Sequence, residues 1–534
     1  MKAKASLLFI SILLCGLGLR LILLNVGINL DDAITLYVSS SSTLSELLER
    51  VRDYEFSPPL YFILMKFWLT LSGDSGKSAA GLALPSILVG TMVIPATWLL
   101  AKELTGCWKQ ALLSSWLAAI APLAIFYSHE ARCYALLSLL TTLSLWMIEK
   151  DNSESVRNRI FLLLLLILTF YTHYLGIFIV CLYLLLKISS LKFREELSKD
   201  KLVTLVAIPA LAFLAFLPWL PYMTDHLSYG TYWVDPTPIT KYPLVLASNL
   251  AATLPLPWLH AFILVSILVP IYLLYAIFQV LKNKAEDKFL ALRKILNSRL
   301  FPAMATVLIA VSTLGYFTPF ILGYTRYLVP FAVLSWILLA TGLNFNTGKS
   351  AVYLAAIVIA ISGLDSLAEI KSLAATDKNA LREITKEIRE GEFKDSAFLI
   401  TPDYNSFSFI YYMTEEGKGR MPEAYFTYPR RDERKPSSHR GYVELWKDPK
   451  VLNLLLKDIA KLDADKFKHL VVLVDTGVLD SKEMPARSQV DRLLEVLDLT
   501  YGKDMKVKTY KRKGRSFDVH SFALSKQPQE NGMR

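Results

Sequence analysis

The residues of this chain that could do chemistry are few and unevenly placed. Asp31 and Asp32 stand side by side directly after an apolar run over residues 5–24. Adjacent carboxylates repel each other, so such a pair tends to bind a cation or share a proton; its plainer use is to stop a helix at a solvated loop. Tyr127-Ser128-His129-Glu130-Ala131-Arg132 puts a histidine, an acid and a base in a short turn between two apolar runs. Charge at a membrane boundary is costly and usually marks a site, although a Glu130–Arg132 pair reaching into headgroups would also account for it. Thr172-His173-Tyr174 divides two short apolar runs, where a lone histidine is more often a polar plug than a ligand. Gly323-Tyr324-Thr325-Arg326-Tyr327 sets an arginine at the start of another apolar run. Arginine suits bidentate phosphate binding, and a Tyr–Arg–Tyr interfacial anchor is an equally good reading.

Holding these residues in place requires the elements around them. Of the 534 residues 53% are hydrophobic, and the apolar runs are concentrated upstream of Lys371. A bilayer crossing needs about 20 mostly apolar residues. Runs of that kind are read at 5–24, 81–101, 110–128, 131–148, 160–172, 174–190, 202–220, 257–281, 301–321, 327–343 and 350–369, eleven in all. Lys and Arg between them are asymmetric, nineteen on the side of Lys2 and Lys4 against seven on the other, which predicts a cytoplasmic N-terminus. With an odd number of crossings, the C-terminal part then lies outside. The net charge of +11 is explained by this loop bias, so nucleic acid is not expected as a partner.

The expected fold class is therefore a polytopic α-helical membrane protein, residues 1–370, followed by a soluble α/β domain, residues 371–534. The first outer loop, 25–80, carries a capping-box pattern at Thr43 and Glu46 opening a helix through Arg52, then Ser57-Pro58-Pro59 and an aromatic interfacial helix over Leu60–Leu71. A second large outer loop spans 221–256. In the soluble part, helices are read at Asn379–Glu390, Phe407–Met413 and 491–498, with buried strands at Ala397–Thr401 and His469–Val474. Cys15, Cys107, Cys133 and Cys181 all fall in the apolar half, so disulfides are not expected to stabilise the soluble part. Leu14 before Cys15 is large, and 5–24 has spanning length, so an uncleaved first helix is expected.

On this topology all four polar segments lie on the outer face. An acidic pair, a Glu/Arg turn, a histidine and an arginine at one level suit a metal-assisted or general-base reaction on a phosphate-bearing lipid. A transporter is the competing class. Transporters carry charges near the midplane on broken helices, often in duplicated halves, and neither feature is found here.

The acidic pair, Pro58-Pro59-Leu60-Tyr61, the stretch Tyr127–Leu137, Thr172-His173-Tyr174 and Arg326-Tyr327-Leu328 with Pro330 recur in that order in the GT-C membrane glycosyltransferases. The chain resembles the dolichyl-phosphate-mannose protein mannosyltransferase superfamily and its bacterial and archaeal relatives, including lipid A aminoarabinose transferases. The resemblance spans about residues 5–345. It implies inverting transfer of a sugar, a hexose such as mannose, from a polyprenyl-phosphate donor to a protein, lipid or polysaccharide acceptor outside the plasma membrane. It also implies roles: Asp31 as general base, Asp32 and Glu130 binding acceptor or a divalent cation (Mg2+ or Mn2+), and Arg132, His173 and Arg326 neutralising the lipid phosphate. A flippase of lipid-linked sugars, or another lipid-linked phosphate or oligosaccharide transferase, are the alternatives.

The chain also departs from the pattern. Many relatives have Asp-Glu where Asp31-Asp32 stands, and His or Lys where Ser57 precedes the proline pair. A phosphate or metal contact at that point is then absent, or taken over by His129, where relatives often have Gln. Ala83 or Leu82 occupies the place of an Arg usual before the second helix.

Overall fold

The computed structural model describes residues 2–22, 26–150, 155–192, 199–229, 302–307, 325–342, 381–390, 395–414, 422–429, 448–476, 486–502, 507–512 and 515–524, with a few isolated positions between them. The first apolar run forms α1 (Lys2–Leu21). The chain turns at Gly27, whose φ of 79° is a conformation glycine adopts without strain. The segment between the first two apolar runs is largely helical: α2 (Leu30–Ser39), α3 (Leu44–Tyr54), α4 (Leu60–Ser72) and the single turn α5 (Asp74–Lys77). Thr43 Oγ1 accepts the Glu46 N–H at 3.1 Å, and the Glu46 carboxylate accepts the N–H of Ser42 at 2.7 Å. The capping pattern thus opens α3 as expected, with the return bond moved back one residue from Thr43.

The second apolar run is α6 (Ala79–Thr105). The third is broken into α7 (Trp108–Ile120) and α8 (Pro122–Tyr127), because Pro122 has no N–H to continue the ladder. α9 (Tyr134–Glu149), α10 (Val156–Phe170) and α11 (Tyr174–Lys192) follow. Next come α12 (Lys199–Leu202), a π turn over Val203–Ala207, α13 (Ile208–Phe216), a 3-10 turn over Leu217–Trp219 and α14 (Leu220–Tyr229). A 3-10 turn over Thr325–Leu328 leads into α15 (Val329–Gly342). The crossings read at 257–281 and 350–369, and most of 301–321, lie outside the described residues. So does most of the second outer loop, 221–256.

Among the described residues, Ala79–Thr105 and Val203–His226 are each long and apolar enough to cross a membrane, and several shorter apolar helices pack beside them. Leu7, Leu164, Leu185 and Leu214 are more than half exposed on the outside of this bundle. Large apolar side chains turned outward on several helices are costly in water and at no disadvantage in lipid. Inside, helices approach closely at small residues. A Cβ on Gly90 of α6 would come within 2.1 Å of Ser128 Oγ, and one on Gly16 of α1 within 3.1 Å of Ala119 Cβ.

The C-terminal part is a five-stranded sheet in the order β2-β1-β3-β5-β4. β1 (Ser396–Thr401) pairs in parallel with β2 (Tyr425–Thr427) and β3 (His469–Asp475), while β5 (Arg515–Ala523) runs antiparallel to β3 and to β4 (Val507–Arg512). Helices α16 (Leu381–Glu390), α17 (Ser406–Met413), α18 (Pro449–Ile459) and α19 (Ala486–Tyr501) cover it. Alternation decides which side each residue serves. Ala397, Leu399, Leu470 and Val472 join α18 and α19 in a core of their own. Phe398, Ile400, Val471 and Leu473 pack with α17 into the core that is continuous with the helical bundle. The C-terminal α/β part is thus fused to the bundle through one face of its sheet.

Candidate functional site

Asp31 and Asp32 lie in the first turn of α2, where the helix N-terminus favours negative charge. Their surroundings differ sharply. Asp32 is buried: Oδ2 accepts the Asn29 N–H at 3.0 Å, and Oδ1 accepts the Ala131 N–H at 2.7 Å. Asn29 completes a capping box by accepting the Asp32 N–H on Oδ1 at 2.8 Å. Oδ2 therefore closes the cap of α2 on itself, and Oδ1 ties α2 to the turn after α8. Asp31 remains 31% exposed, and its Oδ2 takes a hydrogen bond from Arg326 Nη1 at 2.7 Å.

Arg132 follows in the same turn. Its Nη1 donates to Glu55 Oε1 at 2.5 Å and to Thr35 Oγ1 at 3.3 Å, and both side chains of the Arg132–Glu55 pair are almost fully buried. Asp31 is close enough to act electrostatically on both Arg132 and Glu55, and Glu130 on Arg326. Burial pushes the Glu55 carboxyl above the usual carboxylate range, against the pull of Arg132. The result is a compact set of alternating charges, Arg326–Asp31 beside Arg132–Glu55, at one end of the bundle. Tyr134, Tyr327 and His173 wall it, with ring centroids 6.0–6.2 Å apart.

The structure thus brings together Asp31, Asp32, Glu130, Arg132, His173 and Arg326, but it revises what some can do. His173 was expected to help neutralise phosphate. Burial, reinforced by Arg132 and Arg326, depresses its pKa to about 3, and Nδ1 accepts the Leu175 N–H at 3.1 Å. It is a neutral imidazole with Nε2–H left to donate, so it can hydrogen-bond an anion but brings no charge. His129 was expected as a metal or acceptor ligand. Its Nδ1 faces the Ile125 carbonyl at 2.8 Å and its Nε2 faces the Arg20 carbonyl, so no ring lone pair is directed at a cation. Glu130 Oε1 accepts from Asn29 Nδ2 at 3.2 Å. Among the described residues no three His, Cys, Asp or Glu side chains are arranged to hold a metal ion. Asp32 is committed to backbone N–H groups, and a divalent cation is thus left without a preformed set of three ligands among the described residues.

Two residues of the site escaped the sequence reading. Glu55 stands three positions ahead of Pro58, immediately before a motif that was noticed, and an acid there was the available signal. Arg20 is the other, a single charge inside the first apolar run. It is fully buried and donates to Ser128 Oγ at 3.0 Å, Gly16 O at 2.9 Å, Ala119 O at 3.1 Å and Ala118 O at 3.3 Å. The last two are carbonyls at the C-terminal end of α7, which the break at Pro122 exposes and the helix dipole makes negative. Arg20 thereby fixes the turn that carries Glu130 and Arg132. Ser57 is buried with its Oγ 3.7 Å from Cys133 Sγ.

A groove of about 680 Å³ opens between α3, α4, the end of α10 and the segment at Trp219. It is lined mainly by apolar and aromatic side chains, including Leu48, Ile63, Leu168 and Tyr222, with Glu49 and Arg52 also in its wall.

Residues 57–222 match the family model described as dolichyl-phosphate-mannose-protein mannosyltransferase. No curated protein sequence matches the chain. Among solved structures, ArnT from Cupriavidus metallidurans bound to undecaprenyl phosphate aligns over 98% of this chain and 98% of that one, at 12% identity and a TM-score of 0.55. Its apo state aligns over 97% and 98%, also at 12% identity and 0.55. The apo oligosaccharyltransferase of Archaeoglobus fulgidus aligns over 88% of this chain and 69% of that one, at 10% identity and 0.50. At these identities the likeness establishes the fold, a GT-C-like helical membrane protein with a C-terminal α/β domain. The resemblance read from Pro58–Tyr61, Tyr127–Leu137 and Thr172–Tyr174 falls inside the segment that the family model matches.

Proposed function

We propose that the chain is a membrane glycosyltransferase that takes a sugar from a polyprenyl-phosphate donor and passes it to a hydroxyl acceptor at the outer membrane face. The observation that carries this reading is the convergence of Arg326, paired with Asp31, and Arg132, within electrostatic reach of Asp31, the one acid of the motif pair that stays partly open to solvent, at one end of the bundle. Such a donor has a charged head at the membrane surface and a tail in the bilayer, and arginines next to lipid-facing helices suit both parts. The matched family segment and an ArnT fold described with undecaprenyl phosphate support the donor class.

In the reaction, Asp31 accepts the proton of the acceptor hydroxyl as its oxygen attacks the anomeric carbon. The bond from that carbon to the phosphate oxygen breaks with its electron pair going to phosphate, and the sugar carbon inverts. Arg132 and Arg326 stabilise the departing phosphate, so no strong general acid is needed, and His173 contributes a neutral Nε2–H donor. Asp32 and Glu130 hold the turn geometry. No step is assigned to a metal. A hexose such as mannose as the sugar, eleven crossings, a cytoplasmic N-terminus and domain limits at 370 and 371 complete the proposal.

The test is transfer by purified protein. Polyprenyl monophosphate sugars are expected to be consumed and the matching nucleotide sugars ignored. Comparing glycans and lipids from cells with and without the gene by mass spectrometry identifies sugar and acceptor. Robust transfer from a nucleotide sugar without any lipid carrier overturns the reading.

A further inference from the structure

The two arginines placed for the donor phosphate are both already engaged by carboxylates. Arg326 holds Asp31 at 2.7 Å, and Arg132 holds Glu55 at 2.5 Å. The pairs differ in access. Arg326 and Asp31 are 19% and 31% exposed, whereas Arg132 and Glu55 are 9% and 1% exposed. Each arginine is thus matched by its own carboxylate, and Asp32 and Glu130 add further acids nearby. A phosphate brought into this set adds negative charge beside Asp31 and Glu55, which is unfavourable unless a carboxylate gives up its arginine. Arg132 has donor capacity in reserve, since its Nε–H is buried with no hydrogen-bond partner. A fork with an idle donor and one carboxylate contact is built for an exchange of partners rather than for a closed structural pair.

We infer that Glu55 is a gating residue: it occupies Arg132 while the site is empty and yields that guanidinium to the donor phosphate, in an exchange that also releases Asp31 from Arg326. The inference rests on the donor class proposed above. It assigns Glu55 a role that Asp31 cannot fill, because Asp31 faces the open side while Glu55 closes the buried one. It also explains how Asp31 can serve as a base although its carboxylate is held by Arg326 in the empty site. Only after phosphate has drawn Arg326 away is that oxygen free to meet the acceptor hydroxyl. The base is therefore accessible when the donor is in place and occupied when the site is empty. Thr35, whose hydroxyl also meets Arg132 Nη1, lets the guanidinium turn without losing its last contact on α2.

The direction of one effect separates gating from simple support. Undecaprenyl phosphate is the probe, and its affinity is measured for wild type, Glu55→Gln, Glu55→Asp and Arg132→Ala in the same detergent. If Glu55 competes with phosphate, Glu55→Gln binds the probe on the order of tenfold more tightly, because a like charge has been removed from its site. The probe then raises the melting temperature of Glu55→Gln by more than that of wild type. Arg132→Ala binds more weakly than either. Equal or weaker binding by Glu55→Gln shows that Glu55 only holds Arg132 in shape and overturns the inference. If Glu55→Gln does not fold, Glu55→Asp decides: its charge sits one methylene further from Arg132, so gating predicts tighter binding than wild type, and unchanged or weaker binding overturns it. A wild-type protein that does not bind the probe sinks the donor reading instead.

Discussion

Tyr412 of the soluble domain holds both backbone groups of Ile28. Its hydroxyl accepts the Ile28 N–H at 2.9 Å and donates to the Ile28 carbonyl at 2.8 Å, immediately ahead of the cap of α2. At the other end of α2, Phe407 packs its ring 5.0 Å from Tyr37 and 5.9 Å from Tyr54. One helix of the C-terminal domain thus grips both ends of the helix that carries Asp31. Tyr412→Phe leaves two buried backbone groups without a partner and should lower stability by about 1–3 kcal/mol. Turnover should fall while donor binding changes little, which kinetics at varied donor concentration will show. Truncation near residue 370 should have the same signature in stronger form.

The two acids of the motif should separate cleanly. Asp31→Asn keeps shape and removes proton affinity, so turnover should drop roughly 10²–10⁴-fold with folding intact. Asp32→Asn has one acceptor oxygen for two N–H groups and should cost about 1–3 kcal/mol of stability. Melting temperature and single-turnover rates on both variants check this. Near-normal turnover by Asp31→Asn would leave the pair as a helix start only.

Arg20 should be a stability determinant with an effect on the site. Arg20→Met strands the carbonyls of Ala118 and Ala119, at about 1–3 kcal/mol for each buried group left unsatisfied, and removes one of the two partners of the Ser128 hydroxyl. Because Ser128 shares that network, Ser128→Ala in the Arg20→Met background should cost less than it does alone. A double-mutant cycle in detergent measures the difference.

His173 gives a pH signature. Its native value of about 3 lies below the unfolded value of about 6.5, so the unfolded chain binds a proton that the native protein does not. The stability difference is absent above about pH 6.5 and grows as pH falls toward 3. By pH 5.5 it should reach about 1.4 kcal/mol of destabilisation. His173→Gln should remove this component from the pH dependence of unfolding, and an unchanged profile would show that the imidazole is protonated in the native state.

Cys107 lies in the turn between α6 and α7, on the side expected to face the cytoplasm. A membrane-impermeant thiol reagent should leave it unlabelled in intact cells and label it in inverted vesicles, while protease added outside should remove the soluble domain. The opposite pattern would invert the topology and with it the placement of the site.

The sequence by itself determined the helical bundle upstream of an α/β part, the capped helix after Thr43, and strands β1 and β3. Each of these follows from a local pattern: an apolar run, a cap three residues from its partner, a buried β-branched stretch. β2, α18 and the β4–β5 hairpin were not legible. β2 is three residues long and half-buried, and Val507–Arg512 carries Lys508, Lys511 and Arg512 with little apolar content, so neither carries a core pattern. The sequence also pointed to Asp31, Asp32, Glu130, Arg132, His173 and Arg326 as one group, because motif positions and loop charge set them on one face. Their partners were decided only by tertiary structure. Asp31 meets Arg326 across 295 residues, and Arg132 meets Glu55 rather than its neighbour Glu130. Which acid stays open and which is buried depends on how α2, α3 and the turn at Ala131 pack. A charge pattern along a chain records that opposite charges exist, and only packing decides which of them share a desolvated space.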